Sequence, residues 1–241
     1  MELNIFERQE SKYMVTVWQM NALLDLCGNR LCADEYYRYE IRSIYFDTDN
    51  YDLVRASIEK PVYKEKLRLR SYGKASDDAN VFIELKKKYN GIVYKRRADL
   101  TFNQAKILLK EGVPPRDTQI LREVAAFRAR FYVTPKAFIS YDRTAFSGVD
   151  DPELRVTFDS NIHFRTDDLR LDTNADGHCL CNGDAYLMEI KIADAFPLWL
   201  SSAMSLLQIY PTSFSKYGEG YKRYILPSLL KAGEEAFSLA S

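Results

Sequence analysis

Three cations, Lys66, Arg68 and Arg70, stand on alternate residues of one run, with Leu67 and Leu69 between them. A strand turns successive side chains to opposite faces, so this spacing gathers the three charges on one side. Guanidinium forks match the oxygens of a phosphate, and a lysine adds a compact point charge. The chemistry such a row could do is the capture of a polyanion. A solvated outer face is the plain alternative for this strand taken alone.

The pattern recurs along the chain. Glu84, Lys86 and Lys88 alternate in one run, and the hairpin signal Asn90-Gly91 returns the chain through Lys95 and Arg97. Glu10 and Lys12 share a face near the start, after Arg8. Arg155, Thr157 and Asp159 alternate with Leu154, Val156 and Phe158, and Glu189 and Lys191 alternate with Met188, Ile190 and Ile192. Arg143 follows the aromatic run 138–142, and Lys216 sits in Ser213-Phe214-Ser215-Lys216-Tyr217-Gly218, where it could close one end of a lumen. A carboxylate among phosphate-binding cations has a natural role as a ligand of Mg²⁺ or Mn²⁺. Glu189 is the first candidate, with Glu10 sharing the role, because substrate phosphates can supply the remaining ligands.

Other chemistries find little support. The 241 residues contain neither a P-loop nor a dinucleotide-binding glycine motif, and no G-x-S-x-G elbow. Cys27, Cys32, Cys179 and Cys181 match no common zinc spacing, and only two histidines are present, so free thiols in a reducing compartment are expected. Formal net charge is zero, with 34 basic and 34 acidic residues, unlike the positive excess of many nucleic-acid binders. No specific nucleic-acid partner is expected. The expectation is instead that positive charge is focused inside, with acidic loops such as Asp34-Glu35 and Asp150-Asp151 balancing it outside. No signal-peptide core and no run of 18 apolar residues occurs. The expectation is a cytoplasmic protein, able to associate with a membrane through a separate membrane protein.

The elements that must position these residues follow from periodicity. Strands are expected at 39–46, 63–72, 81–89, 92–99, 135–142, 154–159, 162–165 and 185–192, after a short first strand within 1–13. Helices are expected at 17–26 behind Thr16, at 51–59, at 101–110 with Thr101 as cap, at 119–132, at 197–207 and at 221–230. Residues 145–153 read as a turn region and 172–184 as a loop. About eight strands in antiparallel order, many charged on one side, predict an α+β fold. They would form a closed eight-stranded antiparallel β-barrel with a cationic lumen and flanking helices. No linker is evident, so 1–241 is read as a single domain.

Taken in order, several pieces resemble the VTC domain. They are Glu7-Arg8-Gln9-Glu10-Ser11-Lys12-Tyr13, Ile41-Arg42-Ser43-Ile44-Tyr45-Phe46-Asp47, Lys66-Leu67-Arg68-Leu69-Arg70-Ser71-Tyr72, Ile83-Glu84-Leu85-Lys86, Val93-Tyr94-Lys95-Arg96-Arg97, Ser140-Tyr141-Asp142-Arg143, Leu154-Arg155-Val156-Thr157-Phe158-Asp159, Met188-Glu189-Ile190-Lys191 and Ser215-Lys216-Tyr217. That domain is the catalytic part of the polyphosphate polymerase in the vacuolar transporter chaperone complex, and it has bacterial relatives. The resemblance runs from about residue 7 to 224. It implies a triphosphate tunnel metalloenzyme (CYTH-like) fold whose lumen holds triphosphate or polyphosphate. By that similarity Lys12, Arg68, Arg70, Lys86, Lys95, Arg143, Arg155 and Lys216 would bind phosphate, with Tyr141 near them, and Glu189 would bind manganese or magnesium. Lys88 stands where some relatives have histidine. The leading segment looks too short for the phosphate-sensing SPX module of fungal members.

The expected activity is transfer of the γ-phosphoryl group of ATP to a growing polyphosphate chain. Arg68, Arg70, Lys86, Lys95, Arg143 and Lys216 would neutralise the transferring charge, and Lys12, Lys88, Arg97, Tyr141, Arg155 and Lys191 would complete the substrate cage. Hydrolysis of inorganic or nucleoside triphosphate, with Glu10 or Glu84 activating water, is the rival reading. A non-catalytic polyphosphate-binding module is another. The sequence leaves the oligomeric state open.

Overall fold

The computed structural model describes residues 9–59, 61–90, 92–181, 183–193 and 195–232. Glu7, Arg8 and Gly91, quoted above, lie outside them, as do both ends of the 1–241 domain reading.

Among the described residues nine strands form one antiparallel sheet. They are β1 Gln9–Thr16, β2 Leu31–Asp47, β3 Tyr63–Tyr72, β4 Asn80–Tyr89, β5 Ile92–Thr101, β6 Thr134–Gly148, β7 Arg155–Arg165, β8 His178–Cys179 and β9 Ala185–Ile192. The order is β1-β9-β7-β6-β2-β3-β4-β5, with β8 beside β7. Around it lie α1 Val17–Cys27, α2 Asp52–Glu59, α3 Phe102–Glu111, α4 Gln119–Phe131, α5 Leu198–Leu206 and α6 Lys216–Gly220. After α6 the helix continues through a π turn at Tyr221–Ile225.

Local chemistry sets many boundaries. Thr16 and Thr101 each close a capping box, with Gln19 and Gln104 as the reciprocal partners. Asn90 has φ 45°, the left-handed geometry that a tight hairpin needs. Buried Asp47 accepts hydrogen bonds from the backbone N–H groups of Thr48, Leu53 and Val54 and from Tyr217 Oη (3.1 Å), so one carboxylate starts α2 and ties it to α6.

The alternation sorts residues to two faces. Leu67, Leu69, Ile83, Leu85 and Phe138 pack on the convex side beneath α3 and α4. Tyr13, Val156, Phe158, Met188 and Ile190 pack on the same side beneath α1 and α5. The concave side carries the charged row at one end. Towards the other end it becomes apolar, through Tyr45, Ala137, Ile139, Phe164 and Leu187, and there Val54, Tyr217 and Tyr221 cover it. Gly220 makes that contact possible: a Cβ there would lie 2.1 Å from the Phe164 ring. The absent side chain lets α6 settle onto the sheet and deliver Lys216.

Several expectations need correction. β2 is 17 residues long and begins at Leu31, because its first half pairs with the far end of β6. Asp34-Glu35 therefore lies in a strand. β6 runs on to Gly148, so the turn expected from residue 145 starts later. The runs 154–159 and 162–165 are one strand, β7, joined through Asn161 at φ 49°. The register shifts between Ser140 and Asp142 at that point, an irregularity that changes which side chains face inward. Among the described residues β1 and β5 share no hydrogen-bonded pairing, so the sheet is not closed by hydrogen bonds there, and the expected closed barrel is not shown. Lys95, Arg96 and Arg97 in succession charge the β5 edge, a feature that discourages strand pairing. Side chains bridge the seam instead: Lys86 Nζ on β4 reaches Glu10 Oε2 on β1 at 3.4 Å.

Candidate functional site: a cationic concave face

Cross-strand register builds the site in rows. Lys66, Lys86 and Lys95 are opposite one another on β3, β4 and β5, and Arg68, Glu84 and Arg97 form the next row. On the other half, Glu10, Lys191 and Arg155 align across β1, β9 and β7, followed by Lys12, Glu189 and Thr157. Arg143 on β6 lies between Tyr39 and Asp159. Unbalanced rows of this kind would repel, and four carboxylates hold them together.

Glu84 is the first node. It is 1% exposed, and its Oε2 accepts from Arg68 Nε at 2.6 Å. Lys95 Nζ is 2.7 Å from Oε1, with Arg70 and Arg97 at 3.8 and 3.9 Å. Burial alone would raise its pKa, but Arg68, Arg70 and Lys95 outweigh it and hold the carboxyl well below the usual range. Asp159 is the second node, fully buried, with Arg143 as a two-pronged donor at 2.6 and 2.7 Å and Lys216 at 2.5 Å. Glu189 adjoins it, with Arg143 at 3.4 Å and Lys12 and Lys216 at 3.5 Å. Burial opposes its ionisation, yet Lys216, Lys12 and Arg143 keep it ionised well below the ordinary range. Glu10 stands at the seam between Lys86 and Lys12.

Lys66 and Lys191, though in these rows, have no ion pair with a carboxylate among the described residues. Burial pushes Lys66 down to about 8, only partly offset by Tyr45, and its Nζ donates to Ser215 Oγ at 3.3 Å. Burial likewise lowers Lys191 to about 8 against the pull of Glu189 and Glu10. Tyr45 Oη accepts from Arg68 Nη1 at 3.2 Å; burial opposes its ionisation, but Arg68, Arg70 and Lys66 bring it down to about 8. Tyr141 Oη accepts from Arg70 Nη2 at 3.2 Å, and its ring lies 4.3 Å from Lys216 Nζ. Arg155 Nη2 donates to Asp34 at 2.5 Å and to Tyr39 Oη at 3.3 Å, while its buried Nε has no hydrogen-bond partner among the described residues.

The sequence-derived set is thus largely gathered on one face. Contacts within 4 Å join Arg68, Arg70, Lys95, Arg97 and Tyr141 around Glu84, and Lys12, Lys86, Arg143 and Lys216 around Glu189 and Glu10; the Tyr141 ring, 4.3 Å from Lys216 Nζ, bridges the two groups. Lys191 and Arg155 flank Glu10 in register. Lys88 lies one row further out, opposite Lys64 and Val93, and contacts none of these carboxylates. Sequence reasoning passed over Asp159, Tyr45 and Ser215 as site residues, and it gave Lys66 only as part of the opening cationic row. The parity of Asp159 and Tyr45 placed them on this face; their partners come from distant strands.

A divalent cation needs oxygen donors. Among the described residues no group of three or more Asp, Glu, His or Cys is placed to hold one. Glu189 and Glu10, on paired strands, offer carboxylate oxygens, but Lys12 stands between them and Arg143 and Lys216 crowd Glu189. This donor set fits a hard cation held jointly with phosphate oxygens, as Mg²⁺ sites commonly are, and does not fit a cation held by protein alone.

Comparison with known proteins agrees with this geometry. A family model, the VTC domain, matches residues 7–225. The vacuolar transporter chaperone complex subunit 2 of Saccharomyces cerevisiae is 29% identical over 154 residues, covering 53% of this chain and 19% of that protein. The chain thus spans about a fifth of the length of that relative. Among solved structures, a candidate adenylate cyclase from Bacillus halodurans is similar at TM-score 0.54 and 15% identity, over 90% of this chain and 98% of that one. A candidate adenylyl cyclase from Hippeastrum, with a dominant triphosphatase activity, is similar at TM-score 0.53 and 16% identity, over 86% and 92%.

Proposed function

This chain belongs to the VTC domain family, and from that premise we propose that it is a polyphosphate polymerase, transferring the γ-phosphoryl group of ATP to the end of an inorganic polyphosphate chain. One observation carries the reading: basic side chains from β1, β3, β4, β5, β6, β7, β9 and α6 converge on one concave face, where lysine and arginine outnumber Glu10, Glu84, Asp159 and Glu189.

Phosphoryl transfer through a loose transition state is mostly positioning and charge stabilisation. Arg68, Arg70 and Lys95 would bind one stretch of phosphate by exchanging part of their contact with Glu84 for phosphate oxygens. Arg143 and Lys216 would do the same from Asp159 and Glu189, and Arg155 offers its unpartnered Nε. These cations would neutralise the equatorial oxygens of the transferring group. Glu189, with Glu10, would hold Mg²⁺ or Mn²⁺ shared with the phosphates; when bound, such a metal supplies further charge neutralisation at the transferring and leaving oxygens.

The acceptor is itself a phosphate oxygen and brings its own nucleophile. This is why the cage supports transfer over hydrolysis, which would call for a carboxylate free to take a proton from water. Glu84 and Glu189 are held well below the carboxylate range, and the pKa of Glu10 is also lowered, by Lys86 and Lys12 against the opposing effects of burial and of Glu189. The test is incubation with ATP and Mn²⁺, measuring polymer length alongside free phosphate. Polymer is expected; free phosphate without polymer would replace this reading with a triphosphatase. Binding without either product would leave a polyphosphate-binding module. ATP and polyphosphate are the partners implied. Among the described residues no helix is long and apolar enough to cross a membrane, and attachment through a separate membrane protein belongs to the proposal.

A further inference from the structure

The end of the concave face away from α6 carries an aromatic group that the phosphate cage does not use. Tyr72, the last residue of β3, has the parity of Arg68 and Arg70 and so belongs to the same face. Its ring meets Tyr39 edge-on at 5.6 Å and Phe82 edge-on at 5.6 Å. The Arg97 guanidinium lies 3.7 Å above Phe82 and 5.8 Å from the Tyr72 ring, and Nη2 donates to Tyr72 Oη at 3.4 Å. Burial would raise the Tyr72 hydroxyl, but Arg97 outweighs it and lowers it. Held by three neighbours, the residue is still 46% exposed. Tyr39, its edge partner, receives the hydrogen bond from Arg155.

We propose that Tyr72, with Phe82 and Arg97, forms a stacking subsite for the base of a nucleoside triphosphate whose phosphates lie in the cage. The inference rests on the proposed phosphate-binding role of that face. Its geometry fits one nucleoside. A strand rises about 3.4 Å per residue, so Tyr72 stands about 7 Å beyond Arg70, a gap that a ribose can bridge. Aromatic rings and guanidinium planes stack on nucleobases, and such stacking tolerates any base. The subsite therefore selects nucleoside triphosphate over inorganic triphosphate, and adenine over guanine only weakly. It also sets direction: the base rests at the open end, and the terminal phosphate points inward towards Lys216 and Asp159.

The experiment compares ATP with inorganic tripolyphosphate as titrants, at fixed Mg²⁺, for the full chain and its Tyr72 variants. In Tyr72→Leu, ATP affinity should fall about tenfold while tripolyphosphate affinity stays within about twofold. Tyr72→Phe keeps the ring and loses only the hydroxyl, so both affinities should stay near wild type. Tyr72→Trp should retain ATP affinity, and its added indole emission should be quenched by ATP and not by tripolyphosphate. Equal losses for both titrants in Tyr72→Leu, or no loss for ATP, would overturn the subsite while leaving the cage intact. A wild-type chain that binds neither titrant would overturn the cage and the subsite together.

Discussion

Replacing Glu84 with glutamine tests whether the buried carboxylate is a stand-in for phosphate. The change keeps shape and removes one negative charge from among Arg68, Lys95, Arg70 and Arg97, all within 4 Å. Removing one member of a buried ion network typically costs about 3–5 kcal/mol, because the remaining charges stay buried without a counterion. Lys95 and Arg97 have 44% and 34% exposed side chains and are partly screened by solvent, which places the cost near the lower end, about 3 kcal/mol. For a chain of this length 1 kcal/mol moves Tm by about 2–4 °C, so Glu84→Gln should melt about 6–12 °C below wild type. Inorganic tripolyphosphate should then bind the variant more tightly, by about tenfold, since the cations have lost their internal competitor. At one hundred times its Kd it should restore about 2.7 kcal/mol. The sign in pH follows from the lowered pKa. Wild-type stability from this group is present above the unfolded carboxyl value of about 4.3 and is lost as pH falls through the folded one. Glu84→Gln should lack that acid-side loss. The assay is thermal unfolding with and without tripolyphosphate across pH. A variant as stable as wild type, or one that tripolyphosphate protects no better, would refute the reasoning.

Arg70→Ala should weaken tripolyphosphate binding by about 10- to 100-fold, the loss of a charged hydrogen-bonding group, read by calorimetric titration. Glu189→Gln should chiefly abolish Mn²⁺-dependent polymer formation while tripolyphosphate still binds without metal; full turnover in that variant would remove Glu189 from the metal role. Lys66 and Lys191 are lowered to about 8, so both lose charge between pH 7 and 9, and Tyr45 gains negative charge over the same range. Tripolyphosphate affinity should therefore fall by about tenfold or more between pH 7 and 9, and Lys66→Met should flatten that fall. The stability sign is opposite: folded lysine values below about 10.4 mean the burial cost is full below pH 8 and is relieved as pH rises towards 10.4.

Periodicity alone fixed which residues of β3, β4, β7 and β9 share a face, because the period of two is a property of the extended backbone. Thr16, Thr101 and Asn90 fixed boundaries for the same local reason, each satisfying backbone groups or dihedrals within three or four residues. The ordered pieces from Glu10 to Lys216 also carried the family resemblance, which the match over residues 7–225 bears out. The Asn161 irregularity, the first half of β2 and the open seam were not legible, since each depends on how strands far apart in the chain align.

Alternation could show that a face is charged but not that it is concave, because an outer face in water reads identically. That was decided by long-range packing. Apolar partners from α1, α3, α4 and α5 took the opposite side, and α6 crossed onto the charged side where Gly220 admits Phe164. The ion network likewise joins residues tens to hundreds of positions apart, Lys216 with Asp159 and Lys12 with Glu189 among them. Sequence set the kind and parity of the charges through local backbone geometry. Only the folded sheet set their pairing, because a Coulomb partner is chosen by distance in space.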